Sequence, residues 1–91
     1  MEYIKTLAVM EKSAFNKALG IYIRKVRLEK GLTQQMIADK MGLDFQYISR
    51  IERGLISPTL FWLSELSKAL DCKETEFYNG FMEHKKEYEK G

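Results

Sequence analysis

Cysteine, proline and histidine each occur once in these 91 residues, as Cys72, Pro58 and His84. A single cysteine excludes an intramolecular disulfide and a zinc site built on cysteines. Its reading is a small buried or half-buried residue. A lone histidine inside the charged run Glu83-His84-Lys85-Lys86 reads as a surface side chain. There is no metal-ligand cluster, no glycine-rich phosphate loop and no nucleophile beside a base. The chain is therefore expected to be neither an enzyme nor a cofactor carrier, with no metal. No apolar run is long enough to cross a bilayer. Met1 to Ser13 lacks the basic start and apolar core of a secretory leader. A cytoplasmic location is expected, with no membrane partner. Sustained alternation of apolar and polar residues is also missing, so no sheet is expected.

At 91 residues, 45% of them hydrophobic and 31% charged, the chain can build one modest core. It has no room for a separate ligand-sensing domain, and no small-molecule ligand is expected. The net charge of +2 is unevenly spread. Between Lys12 and Arg53 nine basic residues face four acidic ones, whereas from Gly54 onward five lysines face seven acids. A basic segment in a near-neutral chain is what a nucleic-acid face requires, and it is also what a solvated helix surface looks like.

Helical stripes punctuated by glycine organise the chain. Phe15, Leu19, Tyr22, Ile23 and Val26 predict a first helix over roughly 14–30, capped by Ser13 and ended by Gly31. Gly20 within it either costs about 1 kcal/mol against alanine or marks a close helix approach. Thr33 caps a short second helix carrying Ile37, Ala38 and Met41, and Gly42 ends it. Asp44 caps a third, carrying Ile48 and Ile51, which Gly54 ends. Ser57 as cap and Pro58 at the first helical position open a fourth, with Leu60, Leu63, Leu66, Ala69 and Leu70 on its apolar face. A fifth starts near Lys73, with Phe77, Phe81 and Tyr88 on one side. The expectation is an all-α, compact five-helix fold, with the first four helices in a domain over 13–72 and the fifth a C-terminal helix over 73–91. Residues 1–12 form an N-terminal extension, either an arm or a short helix.

The two short helices joined by Gly42-Leu43-Asp44 carry the functional expectation. A short turn containing glycine sets the second helix steeply across the first. One helix can then enter the major groove, about 12 Å wide, while the other rests on the backbone.

The run from Ile23 to Leu70 resembles the phage-repressor, or XRE-type, helix-turn-helix family. Four pieces in order carry the likeness: Arg27 with Glu29-Lys30-Gly31-Leu32-Thr33-Gln34; Ile37-Ala38; Gly42-Leu43-Asp44; and Tyr47-Ile48-Ser49-Arg50-Ile51-Glu52-Arg53-Gly54. The resemblance implies a DNA-binding motif over about 34–53 and a double-stranded DNA partner. It implies that Gln34 grips a phosphate at a helix N-terminus, with Thr33 a cap first and a phosphate contact second. In the recognition helix it points outward Phe45, Gln46, Ser49 and Arg50, with Tyr47 at the flank. Gln46 and Arg50 suit adenine and guanine, and Tyr47, Ser49 and Arg53 suit the backbone. Phe45 departs from the polar residue often found there, leaving two readings: packing on a thymine methyl, or partial burial. Arg27 and Glu52 are implied to form a structural ion pair rather than a DNA contact.

The resemblance also implies a homodimer on half-sites about 34 Å apart. Leu70, Phe77, Tyr78, Phe81 and Met82 are candidates for its interface, and equally for the domain's own core. In style the chain is similar to the controller proteins of restriction-modification systems. The alternative is an interaction module such as an antitoxin that also binds its own promoter.

Overall fold

A computed structural model describes residues 11–90 and places five α-helices in them. These are α1 (Lys12–Glu29), α2 (Gln34–Met41), α3 (Phe45–Glu52), α4 (Leu60–Ala69) and α5 (Glu74–Lys90). The all-α, five-helix expectation holds, and among the described residues no strand occurs. The expected N-terminal extension lies outside the described residues over 1–10.

Helix ends follow local chemistry. Thr33 Oγ1 accepts the Met36 amide at 3.0 Å and Asp44 Oδ1 accepts the Gln46 amide at 2.8 Å, so α2 and α3 start where the caps were expected. The ends of α1 and α3 share one geometry. Gly31 and Gly54 adopt positive φ, and the next residue returns its amide into the last turn: Leu32 to the Arg27 carbonyl, and Leu55 to the Arg50 carbonyl. At the end of α4 the left-handed position falls to Asp71, with φ 53°.

Two expected caps are replaced. The first helix begins at Lys12 rather than 14, because the Glu11 carbonyl already accepts the Phe15 amide at 2.8 Å. Ser13 therefore lies within the first turn. Ser57 does not cap α4 and Pro58 is not its first residue. Thr59 Oγ1 accepts the Trp62 amide at 3.1 Å, while the Ser57 hydroxyl donates to Asn16 Oδ1 at 2.9 Å. Ser57 thus ties the α3–α4 loop to α1.

The core gathers one stripe from each helix: Leu19, Tyr22 and Ile23, then Ile37, Ile48 and Ile51, then Leu66, Leu70 and Phe77. Gly20 belongs to the contact between α1 and α3. A Cβ there would come within 2.5 Å of the Ile51 carbonyl oxygen, and nearer still to that of Glu52. Of the two readings of this glycine, the close helix approach is the one that holds.

The C-terminal aromatics need a correction. Leu70 and Phe77 are fully buried and Phe81 nearly so, because α5 folds back on α1. Phe81 meets Phe15 edge-on at 5.3 Å, and Tyr22 Oη donates to the Phe77 carbonyl at 2.8 Å. These three side chains fill the chain's own core and are closed to a second copy. Tyr78 is half-buried and Met82 exposed. Tyr88 is also largely outside the core at 38% exposure, so the expected stripe stops at Phe81.

Two predictions follow from this packing. Gly20→Ala is expected to cost about 2–3 kcal/mol, lowering the melting temperature by about 10–20 °C in a circular-dichroism melt, whereas an uncrowded helix position gains stability from the same change. Burial, followed by the charges of Cys72 and Glu29, pushes the Tyr22 phenol from 10.0 up to about 12. An unfolded tyrosine ionises sooner, so this contribution to stability is whole below pH 10 and is lost as pH rises through about 12. Denaturant midpoints measured across that interval should fall, and Tyr22→Phe should remove part of the fall.

Candidate nucleic-acid interface

The turn Gly42-Leu43-Asp44 holds α2 against α3. Gly42 takes φ 67° and Leu43 returns its amide to the Ala38 carbonyl at 2.9 Å. From Asp44 the chain starts α3 with Ile48 and Ile51 buried. Helical periodicity then puts Phe45, Gln46, Arg50 and Arg53 on the exposed side and leaves Ser49 half-buried beside them. Arg53 Nε lies against the Ser49 carbonyl at 3.4 Å, so its guanidinium folds back along α3.

Phe45 is 44% exposed, so it is partly covered by the domain and still presents a ring edge to solvent. Tyr47 is half-buried, with its ring 5.5 Å from that of Trp62 on α4. It has a packing duty whatever else its hydroxyl touches.

Behind the exposed face sits a buried charge network. Arg27 and Glu52 are 7% and 8% exposed. Arg27 Nε donates to Glu52 Oε2 at 2.6 Å and Nη2 donates to Oε1 at 3.0 Å, a two-pronged pair. The remaining Nη1 donates to the Leu32 carbonyl at 2.9 Å. Glu52 Oε1 also accepts Gln34 Nε2 at 3.0 Å. Sequence spacing pairs Arg27 with Glu52 only through resemblance, and nothing in it signals the Gln34 bond. The expected phosphate-gripping residue is therefore held at the first turn of α2 by the carboxylate that ends α3. Thr33 keeps its hydroxyl on the Met36 amide.

The basic segment divides into groups that sequence reading could not separate. Arg27 is interior. Lys30 Nζ donates to the Asp71 carbonyl at 3.0 Å and Lys40 Nζ to that of Ala69 at 3.2 Å, so both sit on the carbonyl end of α4. Lys17 lies at the other end of the motif. A Cβ on Gly54 would meet its backbone at 2.8 Å, which places exposed Lys17 beside Gly54 at the end of α3, the residue that follows Arg53. No spacing rule picks Lys17 out.

Among the described residues no group of three potential metal ligands occurs, and no helix is long and apolar enough to cross a membrane. Cys72 is half-buried, and burial pushes its thiol up, which leaves it protonated and a weak nucleophile at neutral pH.

An exposed polar helix face, carried on a glycine turn and backed by a buried ion pair, defines a helix-turn-helix DNA-binding domain. The chain belongs to the XRE-type helix-turn-helix family, whose pattern matches residues 23–77, and it is a transcriptional regulator of that DNA-binding class. It is 40% identical over 60 residues to an HTH-type transcriptional regulator of Sinorhizobium fredii, covering 66% of this chain and 78% of that protein. It is 32% identical over 62 residues to the HTH-type transcriptional regulator SlrR of Bacillus subtilis, covering 67% of this chain and 41% of SlrR. The fold is similar to the restriction-modification controller protein C.Esp1396I, solved as a tetramer with its natural 35 base-pair operator. That likeness has a TM-score of 0.72 at 34% identity and covers 77% of this chain and 92% of that one.

Removing one member of a buried pair strands the other charge. Glu52→Ala is expected to cost about 3–5 kcal/mol, read as a lower urea midpoint at unchanged slope. Gln34→Ala leaves the pair intact and should cost far less. Equal losses for the two variants would rule out the ion pair as the dominant bond.

Proposed function

We infer that this regulator binds a palindromic operator as a homodimer, with α3 of each copy in the major groove of one half-site. The observation that carries the reading is the composition of the exposed face of α3. Gln46 and Arg50 stand outward beside one another, two side chains able to make paired hydrogen bonds to adenine and guanine. Phe45, exposed one residue earlier, offers an apolar edge to a thymine methyl. Thr33 and Gln34 at the start of α2, and Tyr47, Ser49 and Arg53 along α3, serve the phosphate backbone and set the register. Gln34 comes to this task already held by Glu52, with little side-chain freedom left to lose on binding.

Likeness to an operator-bound restriction-modification controller supports a role of the same kind. Pairing fits the physics. One module buries too little DNA surface for useful discrimination, and two half-sites about 34 Å apart double the readout.

Selection of bound DNA from a random pool tests the reading, and a palindromic consensus is the expected result. An asymmetric consensus with a single short block would overturn the paired arrangement. On the selected site Arg50→Ala should lose about 1–3 kcal/mol and relax one base position, while binding to random DNA stays nearly unchanged. Arg53→Ala should weaken specific and random DNA alike and reduce the salt slope by about one. If Arg50→Ala loses as much on random DNA as on the operator, Arg50 does not read a base.

A further inference from the structure

The first helix carries Lys12, Lys17, Arg24, Lys25 and Arg27 before its first acid, Glu29. Arg27 is neutralised by Glu52. Of the others, Lys17 is the one fixed against the end of α3. It lies three residues before Gly20, on the same side of α1 that Gly20 presses on α3. A Cβ on Gly54 would come within 2.8 Å of the Lys17 Cα and 2.9 Å of its amide nitrogen, so the two backbones touch where α3 ends. The Ser57 hydroxyl, donating to Asn16, ties the same corner together. The Lys17 side chain itself is exposed.

We propose that Lys17 is a DNA-backbone contact, its ammonium taking a phosphate next to the one that Arg53 takes. The inference rests on the DNA-binding reading above and extends that surface onto α1, ahead of the family pattern matched over residues 23–77. Three observations carry it. The first is the flank of α3 that Lys17 borders. Glu52 turns to Arg27 of α1, whereas Tyr47 turns the other way, onto Trp62 of α4. Ser49, three residues before Glu52, shares its side, and Arg53, four residues after Ser49, folds back against the Ser49 carbonyl. Lys17 therefore borders the flank that carries two of the side chains assigned to phosphate.

The second is an uncommitted charge. Lys30 and Lys40 place their amines on the carbonyl end of α4. Lys17 meets the end of α3 with its backbone instead. Among the described residues its amine has no hydrogen bond or ion pair. The third is electrostatic need. The carbonyl end of a helix carries partial negative charge, which repels a phosphate. A cation rooted beside that end by touching backbones offsets the repulsion and adds one neutralised phosphate per copy. Lys25 is the natural contrast on the same helix, since it lines a groove with Glu29, Glu83 and Glu87 between α1 and α5.

Equilibrium binding of the full chain across a salt series tests the assignment, by fluorescence anisotropy on the selected operator and on random DNA of equal length. Lys17→Ala should flatten the slope of log K against log salt by about 0.9 per bound copy, on both DNAs alike, at an unchanged melting temperature. Lys17→Arg and Lys25→Ala should keep the wild-type slope. Ethylation interference should show one phosphate per half-site that wild type requires and Lys17→Ala does not, adjoining the phosphate lost with Arg53→Ala. A lost phosphate elsewhere overturns the placement. A wild-type slope in Lys17→Ala beside a flattened one in Arg53→Ala overturns the contact and leaves DNA binding standing. Equal flattening by Lys17→Ala and Lys25→Ala also overturns it, because net charge then accounts for both. A wild-type chain that binds neither DNA overturns the DNA-binding reading itself.

Discussion

Glu52 is where three helices are joined by one carboxylate. It ends α3, accepts two bonds from Arg27 on α1 and one from Gln34 at the start of α2. Arg27 extends the junction to the α1–α2 turn through the Leu32 carbonyl. α2 and α3 are eight residues each, too short to persist alone in water. Their mutual angle has to come from outside their own backbones. The turn sets part of it and the core sets part. The Glu52 junction supplies the directional part, since a planar guanidinium and a carboxylate satisfy one another in few orientations.

Gly20 is the steric counterpart of that junction. The backbone of α3 at Ile51 and Glu52 lies so near α1 that only a hydrogen atom fits between. This closeness brings Glu52 within direct reach of Arg27 with no space left over, and both charges are excluded from water. Desolvating two charges is costly, and the cost is offset here because each Arg27 nitrogen donates a bond and both Glu52 oxygens accept one. The pair then acts as a specificity device: an α3 that slid or rotated would leave a buried charge unpaired.

Much of this was legible in the sequence, and the failures have physical causes. Number, type and order of the helices followed from the stripes and from Thr33, Asp44 and the glycines, because those signals are local. The expected caps at Ser13 and Ser57 were wrong for a shared reason. A hydroxyl is a candidate cap wherever it occurs, and the choice between Ser57 and Thr59 depends on a tertiary partner, Asn16, that is 41 positions away. The C-terminal aromatics were ambiguous because an apolar stripe does not say what covers it. Only the return of α5 onto α1 settles that Leu70, Phe77 and Phe81 are interior.

The basic residues show the same limit in electrostatic form. Charge counted along the chain suggested one positive face, yet Arg27, Lys30 and Lys40 each find an acceptor inside the protein. What separates them from Arg50 is the fate of the nearest carbonyl or carboxylate. Lys30 and Lys40 sit where α4 ends with free carbonyls, and they complement its negative pole. Arg50 lies mid-face on α3, where the helix meets its own carbonyl needs, so its guanidinium is left to the solvent side. A helix that satisfies its backbone internally and its position through Glu52 leaves its outward side chains with no structural duty. That freedom is the condition for a reading surface, because residues under no packing constraint can differ between relatives of one fold without unfolding it.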